Sequence, residues 1–200
     1  SEVLAGRKIS ALAITEPGGG SDVASLRTRA RRDGDHYVVS GEKTFITSGM
    51  RADYLTVAVR TGGEGPGGVS LLLIEGNTPG LSRTKLKKMG WWASDTATLH
   101  FDECRVPVEN LIGEENKGWD YAKFLLGNER TSMAGIGRST RYLNLLKTIV
   151  KAEIPEDDPA HLEFIRDIAR VELDVLALEA TELRVVAQMA RGIDPGPAAS

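Results

Sequence analysis

Cysteine occurs once in the 200 residues, at Cys104, and histidine three times, at His36, His100 and His161. A single cysteine cannot close an internal disulfide, which fits a reducing cytoplasm. Cys104 stands in an apolar, strand-like run and reads as a small core residue. The histidines lie in separate elements without acidic or thiol neighbours at ligand spacing, so no metal site is expected. No apolar run approaches the length of a membrane span, and the first residues carry no signal-peptide pattern. Excess positive charge is missing too: 25 Lys and Arg against 28 Asp and Glu leave a net charge of -3, whereas a nucleic-acid binder needs a basic face. What is present is ordinary for a globular protein, 41% hydrophobic and 26% charged residues, enough for one sizeable core or two small ones.

The chain is organised around Ala11-Leu12-Ala13-Ile14-Thr15-Glu16-Pro17-Gly18-Gly19-Gly20-Ser21-Asp22. Ile9 to Ile14 is apolar enough for an inner strand, and Pro17, which has no N–H to donate, ends any ladder there. The glycines that follow carry no side-chain bulk, so their N–H groups can converge on an anion or a ring edge. Such a loop is a ligand cradle or a plain turn. Up to about Ile112 the pattern is short β-rich runs between turns. Arg27 to Arg32 and His36 to Ser40 flank Asp33-Gly34-Asp35, a hairpin signal. Phe45 to Thr47, Tyr54 to Arg60, Val69 to Glu75, Leu81 to Leu86, Thr98 to Phe101 and Arg105 to Pro107 follow. Short strands without intervening helices imply an antiparallel sandwich or barrel.

After Glu114-Glu115-Asn116-Lys117-Gly118 the period changes. A helix is expected from about Trp119 to Lys151. A second, capped by Asp158 with Pro159 at its first position, is expected to run to about Arg191 and stop at Gly192. Ile165, Ala169, Leu173, Leu176, Ala180 and Leu183 form one apolar stripe of it, and Val171, Val175, Val185 and Val186 a second, so it needs neighbours on several sides. In the first helix, at 100° per residue from Ala122, Leu126, Met133 and Ile136 cluster within about 40°, and Glu129 falls among them. A carboxylate on an apolar face is paired, exposed at a domain junction, or used as a base whose pKa burial has raised.

The Thr15-Glu16-Pro17 to Asp22 turn is continued by Gly41-Glu42-Lys43-Thr44-Phe45-Ile46-Thr47-Ser48-Gly49. With Met89-Gly90-Trp91-Trp92-Ala93-Ser94-Asp95-Thr96 followed by Phe101 to Pro107 as a third motif, and Gly127-Asn128-Glu129-Arg130 as a fourth, the sequence resembles the acyl-CoA dehydrogenase family in four ordered motifs. Singly, Phe45 and Ile46 read as strand core, Thr15 and Thr47 as β-formers, and Ser94-Asp95 as a turn cap. In family order they read together as one site. The resemblance implies an α+β multidomain protein: an antiparallel β-barrel or sandwich middle domain over residues 1–112, then 113–200 as part of a four-helix-bundle domain, with the family's N-terminal helical domain absent from this chain.

It implies FAD as cofactor, held by Leu12, Ile14, Thr15, Gly20, Ser21, Phe45, Ile46 and Thr47. It also implies a CoA thioester held by Ser21, Ser94 and Arg130, with Glu129 as the catalytic base. The implied reaction is α,β-dehydrogenation to the 2,3-enoyl-CoA, as in fatty-acid β-oxidation, with electrons passed to an electron-transfer flavoprotein and a dimeric or tetrameric, homo- or heteromeric assembly. Alternatives within the fold are an acyl-CoA oxidase, a flavin monooxygenase, or a non-catalytic partner subunit. One departure supports the last: Ile149 to Phe164 holds nothing like the Arg-x-x-Phe-Gly motif with which many relatives reach a neighbouring subunit's FAD. Tryptophan is frequent in relatives where Phe45 stands here.

Overall fold

In the computed structural model, residues 2–20, 22–123 and 134–193 are described. The chain divides into two compact units, after Ala122. The first is an eight-stranded sheet. Its strands are β1 (Ser10–Ala13), β2 (Arg29–Asp33), β3 (His36–Ile46), β4 (Tyr54–Arg60), β5 (Val69–Glu75), β6 (Leu81–Lys85), β7 (Ala97–Pro107) and β8 (Leu111–Ile112). They run in the order β6-β7-β3-β2-β4-β5-β8, with β1 also paired to β4. The expected β2–β3 hairpin forms, with Arg29 opposite Ser40 and Asp33 opposite His36. Two pairings depart from the all-antiparallel expectation. β1 runs parallel to β4, with Ser10 beside Tyr54 and Ala13 beside Val57, and β2 meets β4 in parallel at Arg29 and Arg60.

β4 is buried on both faces, which is why Tyr54 to Arg60 reads as a nearly continuous apolar run rather than an alternating one. Leu55, Val57 and Val59 join the larger core with Tyr37, Val39, Leu72, Ile74, Leu99 and Val106. Ala58 faces a second cluster with Leu26, Val69 and Leu71, against which Ile14, Ile112 and Trp119 pack. Burial of this kind stabilises by about 25 cal/mol per Å² of apolar surface. Residues 113–122, expected with the helical half, belong to the sheet unit for the same reason. Trp119 lies on the second cluster, Asn116 N–H donates to Ser70 Oγ at 2.7 Å, and the Tyr37 hydroxyl donates to Glu115 Oε2 at 2.9 Å.

The second unit contains α1 (Ile136–Glu153) and α2 (Pro159–Ala190). α2 starts and stops as expected: Asp158 Oδ1 accepts from Ala160 N–H at 2.8 Å, and Gly192 has φ 71°. The first helix does not run unbroken from Trp119 to Lys151. Gly135, the residue before α1, is left-handed at φ 59° and ψ 28°, a conformation no α-helix continues through. The helical phase counted from Ala122 therefore does not reach Ile136, and the stripe argument for Glu129 loses that member. Leu126, Glu129 and Met133 lie outside the described residues. Leu143 and Val150 of α1 pack on Ile168 of α2, with Ile154 beside them. Among the described residues no helix is long and apolar enough to cross a membrane.

Candidate functional site

The site expected around the glycine turn is built where β1 ends. Its ladder stops at Ala13, and the next residues are fastened to β3 instead. Thr44 N–H donates to Thr15 O at 2.9 Å, and the Lys43 ammonium donates to Ile14 O at 2.9 Å and to Glu16 Oε1 at 2.8 Å. Two motifs almost thirty residues apart in sequence are thus joined by direct bonds. Glu16 N–H and Gly19 N–H exchange hydrogen bonds with each other's carbonyls, both at 3.1 Å, which closes the turn over Pro17 and Gly18. Among the described residues the N–H groups of Gly18 and Gly20 donate to no backbone carbonyl. A cleft of about 300 Å³ opens beside them, lined by Glu16, Pro17, Gly18, Gly19, Asp22 and Arg27 among others.

β3 reaches the turn through a β-bulge. Lys43 lies opposite Leu99 but Ile46 lies opposite Ala97, so β3 spends one residue more than β7 over this stretch. The extra residue is Phe45, left-handed at φ 59°. A bulge re-aims side chains: Lys43, Thr44 and Ile46 are buried, while the Phe45 ring is 67% exposed. A left-handed phenylalanine is strained, and such strain persists where the surroundings impose it, often at binding sites. Ser48, just beyond, is left-handed as well, at φ 60°.

The expected residues thus fall into three groups. Thr15, Gly20, Phe45 and Thr47 come to the exposed end of β1 and β3, and Leu12 is partly exposed on β1. Ile14 is half-buried on the second core cluster, and Ile46, only 2% exposed, belongs to the main core. From Ile46 only backbone is available to a ligand. Ser94 is in another loop, where its hydroxyl lies 3.4 Å from Thr96 Oγ1 and its carbonyl accepts from Lys88 at 2.9 Å. In the same loop Asp95 Oδ1 is 3.4 Å from Arg51 Nε, while its Oδ2 is buried with no hydrogen-bond partner among the described residues. Ser21, Glu129 and Arg130 lie outside the described residues.

Glu16 and Lys43 carry no expected role, yet they hold the site together. Lys43 is fully buried, and burial pulls its ammonium down to about 8, against the opposing hydrogen bond and charge of Glu16. Burial works to raise the Glu16 carboxyl, but hydrogen bonds from Lys43 and Thr28 outweigh it and leave the group below the ordinary glutamate value. The sequence signal was a lysine two residues from Gly41 on an inward strand position. The bulge hides it, because inward parity changes between Lys43 and Ile46.

The same arrangement tests whether a flavin fits. A ring with a negatively polarised edge needs convergent donors and an open approach. Cβ atoms placed at Gly18 and Gly19 would meet nothing within 4 Å, whereas one at Gly20 would come within 3.0 Å of Thr15 Cγ2. Open glycine N–H groups, an exposed Phe45 ring and the Thr15 and Thr47 hydroxyls, which bond to no protein group among the described residues, fit such a group.

This fold is shared with oxidoreductases of known structure. A probable acyl-CoA dehydrogenase from Mycobacterium abscessus superposes on 99% of the chain with a TM-score of 0.91 and 43% identity, the chain covering 54% of that protein. Residues 11–104 match the family model for the acyl-CoA dehydrogenase middle domain. Among curated proteins, the mitochondrial isobutyryl-CoA dehydrogenase of Dictyostelium discoideum is 48% identical over 128 residues, 63% of this chain and 31% of that protein. The cyclohexane-1-carbonyl-CoA dehydrogenase of Geobacter metallireducens is 50% identical over 114 residues, 56% of this chain and 30% of that protein. The chain spans about a third of the length of these curated relatives. Over residues 11–104 the chain is an acyl-CoA dehydrogenase middle domain.

Proposed function

We propose that the protein is a FAD-dependent acyl-CoA dehydrogenase that converts a CoA thioester to its 2,3-enoyl form and passes the electrons to an electron-transfer flavoprotein. The observation that carries this reading is the joining of the Thr15–Gly20 turn to the Lys43–Thr47 segment through Thr44 N–H and Thr15 O. When bound, FAD supplies the hydride acceptor that no amino-acid side chain provides.

Leu12, Ile14, Thr15, Phe45, Ile46 and Thr47 hold the ring, Ile46 through its backbone, and the Thr15 and Thr47 hydroxyls offer donors to its polar edges. Gly20 and Ser21 take the pyrophosphate and the neighbouring pantetheine, since neither imposes bulk. Ser94 and Arg130 hold the CoA portion. Glu129 removes the Cα proton, which the thioester carbonyl acidifies. The isobutyryl and cyclohexane-1-carbonyl groups named for the Dictyostelium and Geobacter relatives are the first substrates to try. A working assembly is a dimer or tetramer, and the lone buried thiol of Cys104 suits the reducing cytoplasm.

The visible spectrum of the purified full-length protein tests the cofactor: bound oxidised flavin is expected, and its absence from protein refolded with excess FAD overturns the reading. Glu129→Gln is expected to keep the flavin and bind substrate yet abolish anaerobic bleaching by acyl-CoA. Bleaching at the wild-type rate would place the base elsewhere.

A further inference from the structure

The Glu16–Lys43 pair is an expensive way to fasten a turn. Taking an ammonium and a carboxylate out of water is unfavourable, and a well-packed apolar pair in their place is often as stable or more so. What such a pair provides is direction. Once β1 ends at Ala13, three successive carbonyls need partners: Ile14 O takes Lys43 Nζ at 2.9 Å, Thr15 O takes Thr44 N–H at 2.9 Å, and Glu16 O takes Gly19 N–H at 3.1 Å. All three are thereby satisfied from inside the protein. Both oxygens of the Glu16 carboxylate are occupied as well, Oε2 by Arg27 N–H at 2.6 Å and Oε1 by Thr28 N–H at 2.9 Å and by Lys43. The turn is held from β3 on one side and from residues 27–28 on the other, with Lys43 bonded to both the entry and the body of the turn. Pro17, next in line, has no N–H to donate and restrains the turn only through its ring-fixed φ.

We propose that Glu16 and Lys43 are a positioning pair that locks the Ile14–Gly20 turn with the Ile14, Thr15 and Glu16 carbonyls bonded within the protein, so that the N–H groups of Gly18 and Gly20 face the cofactor. The proposal rests on the flavoprotein reading for the ligand but not for the locking. Lys43 is fully buried, and each residue of the pair acts through the backbone it holds.

The test compares Glu16→Gln, Lys43→Met and Lys43→Arg with the wild type in the purified full-length protein. Hydrogen exchange of the amides of residues 16 and 19, the bonded N–H groups of the turn, is expected in the FAD-free protein to accelerate at least about tenfold in Glu16→Gln and Lys43→Met, the equivalent of one charge-assisted hydrogen bond. The amides of β5 should be unchanged. The FAD dissociation constant should rise by a similar factor, and Lys43→Arg, which keeps the charge, should recover part of the loss. If Lys43→Met loses β5 protection and so fails to fold, Glu16→Gln decides, because it keeps the size and one acceptor of the glutamate. Wild-type exchange in the turn together with wild-type FAD affinity in Glu16→Gln overturns the proposal. A wild-type protein that binds no FAD overturns the flavoprotein reading alone, and exchange in the turn then decides the locking by itself.

Discussion

The sheet unit and the helical unit bury apolar side chains very differently. In the sheet, Leu55, Val57, Val59, Leu72, Ile74 and Leu99 are all fully buried. Each strand covers its neighbours, and β4 is covered on both faces. Among the described residues of the helical unit, α1 and α2 share a buried seam at Leu143, Val150 and Ile168, and Val185 is buried further along α2. Away from it Leu173 is 66% exposed and Leu183 64%. A sheet with hairpins and crossovers closes most of its core from within, whereas two helices meet along one stripe each and leave the rest of an all-round apolar helix bare. The stability of the first unit is therefore set by its own packing. That of the second depends on what lies against α2.

Substitutions can break or sharpen this contrast. Leu55→Ala, at the centre of β4, should lose about 3 kcal/mol by denaturant unfolding followed on the sheet unit, because the cavity cannot collapse between two covered faces. A loss under 1 kcal/mol would mean the sheet core is not closed. Leu143→Ala, on the helical seam, should lose about 2 kcal/mol in the second unit's transition and leave the first unit's untouched.

A pH series separates the units in another way. Glu16 is held below the ordinary value of about 4.3, so the stability it contributes is fully present above that pH and is lost as pH falls through its lowered folded value. The melting temperature of wild type over Glu16→Gln should shrink between neutral pH and about pH 3 in the sheet unit, with no matching change in α1 and α2. Lys43 gives a slope of the same sign in a higher window, because its folded pKa is lowered too. With its folded pKa pulled down to about 8, the unfolded chain holds the extra proton between there and about 10.4. Wild type should therefore gain stability over Lys43→Met as pH rises through that window.

The smallest effect is expected on the bare stripe. Leu173→Ser in the 200-residue chain should change stability by no more than about 0.5 kcal/mol while lowering the binding of an apolar dye. A large destabilisation would mean that α2 is already covered there.

The parts legible in the sequence were those encoded locally. β4 and β5 lie where their apolar runs stood, the hairpin follows Asp33-Gly34-Asp35, and Asp158, Pro159 and Gly192 bound α2 because capping chemistry is set by a few adjacent residues. The missed parts depend on partners distant in the chain. The parallel register of β1 on β4 has no local signature. The bulge at Phe45 is defined against β7, and it alone decides that Lys43 points inward and the ring outward. Gly135 stands in a stretch of helical period, where a glycine reads as tolerated, and its left-handed conformation is not written in its neighbours.

The register of β3 on β7 also governs when the glycine turn can come into being. Pairing brings residue 36 beside residue 107 and residue 46 beside residue 97, while β1 waits for β4. Such long chain closures must be completed before their contacts repay the lost entropy, which places sheets of this topology among slow folders, in the millisecond to second range. Lys43 can grip the turn only when β3 is seated and its bulge is set against β7. The turn, although it precedes β3 and β7 in sequence, is therefore assembled among the last features of its unit. A nascent chain carries it unformed until β7 has been synthesised.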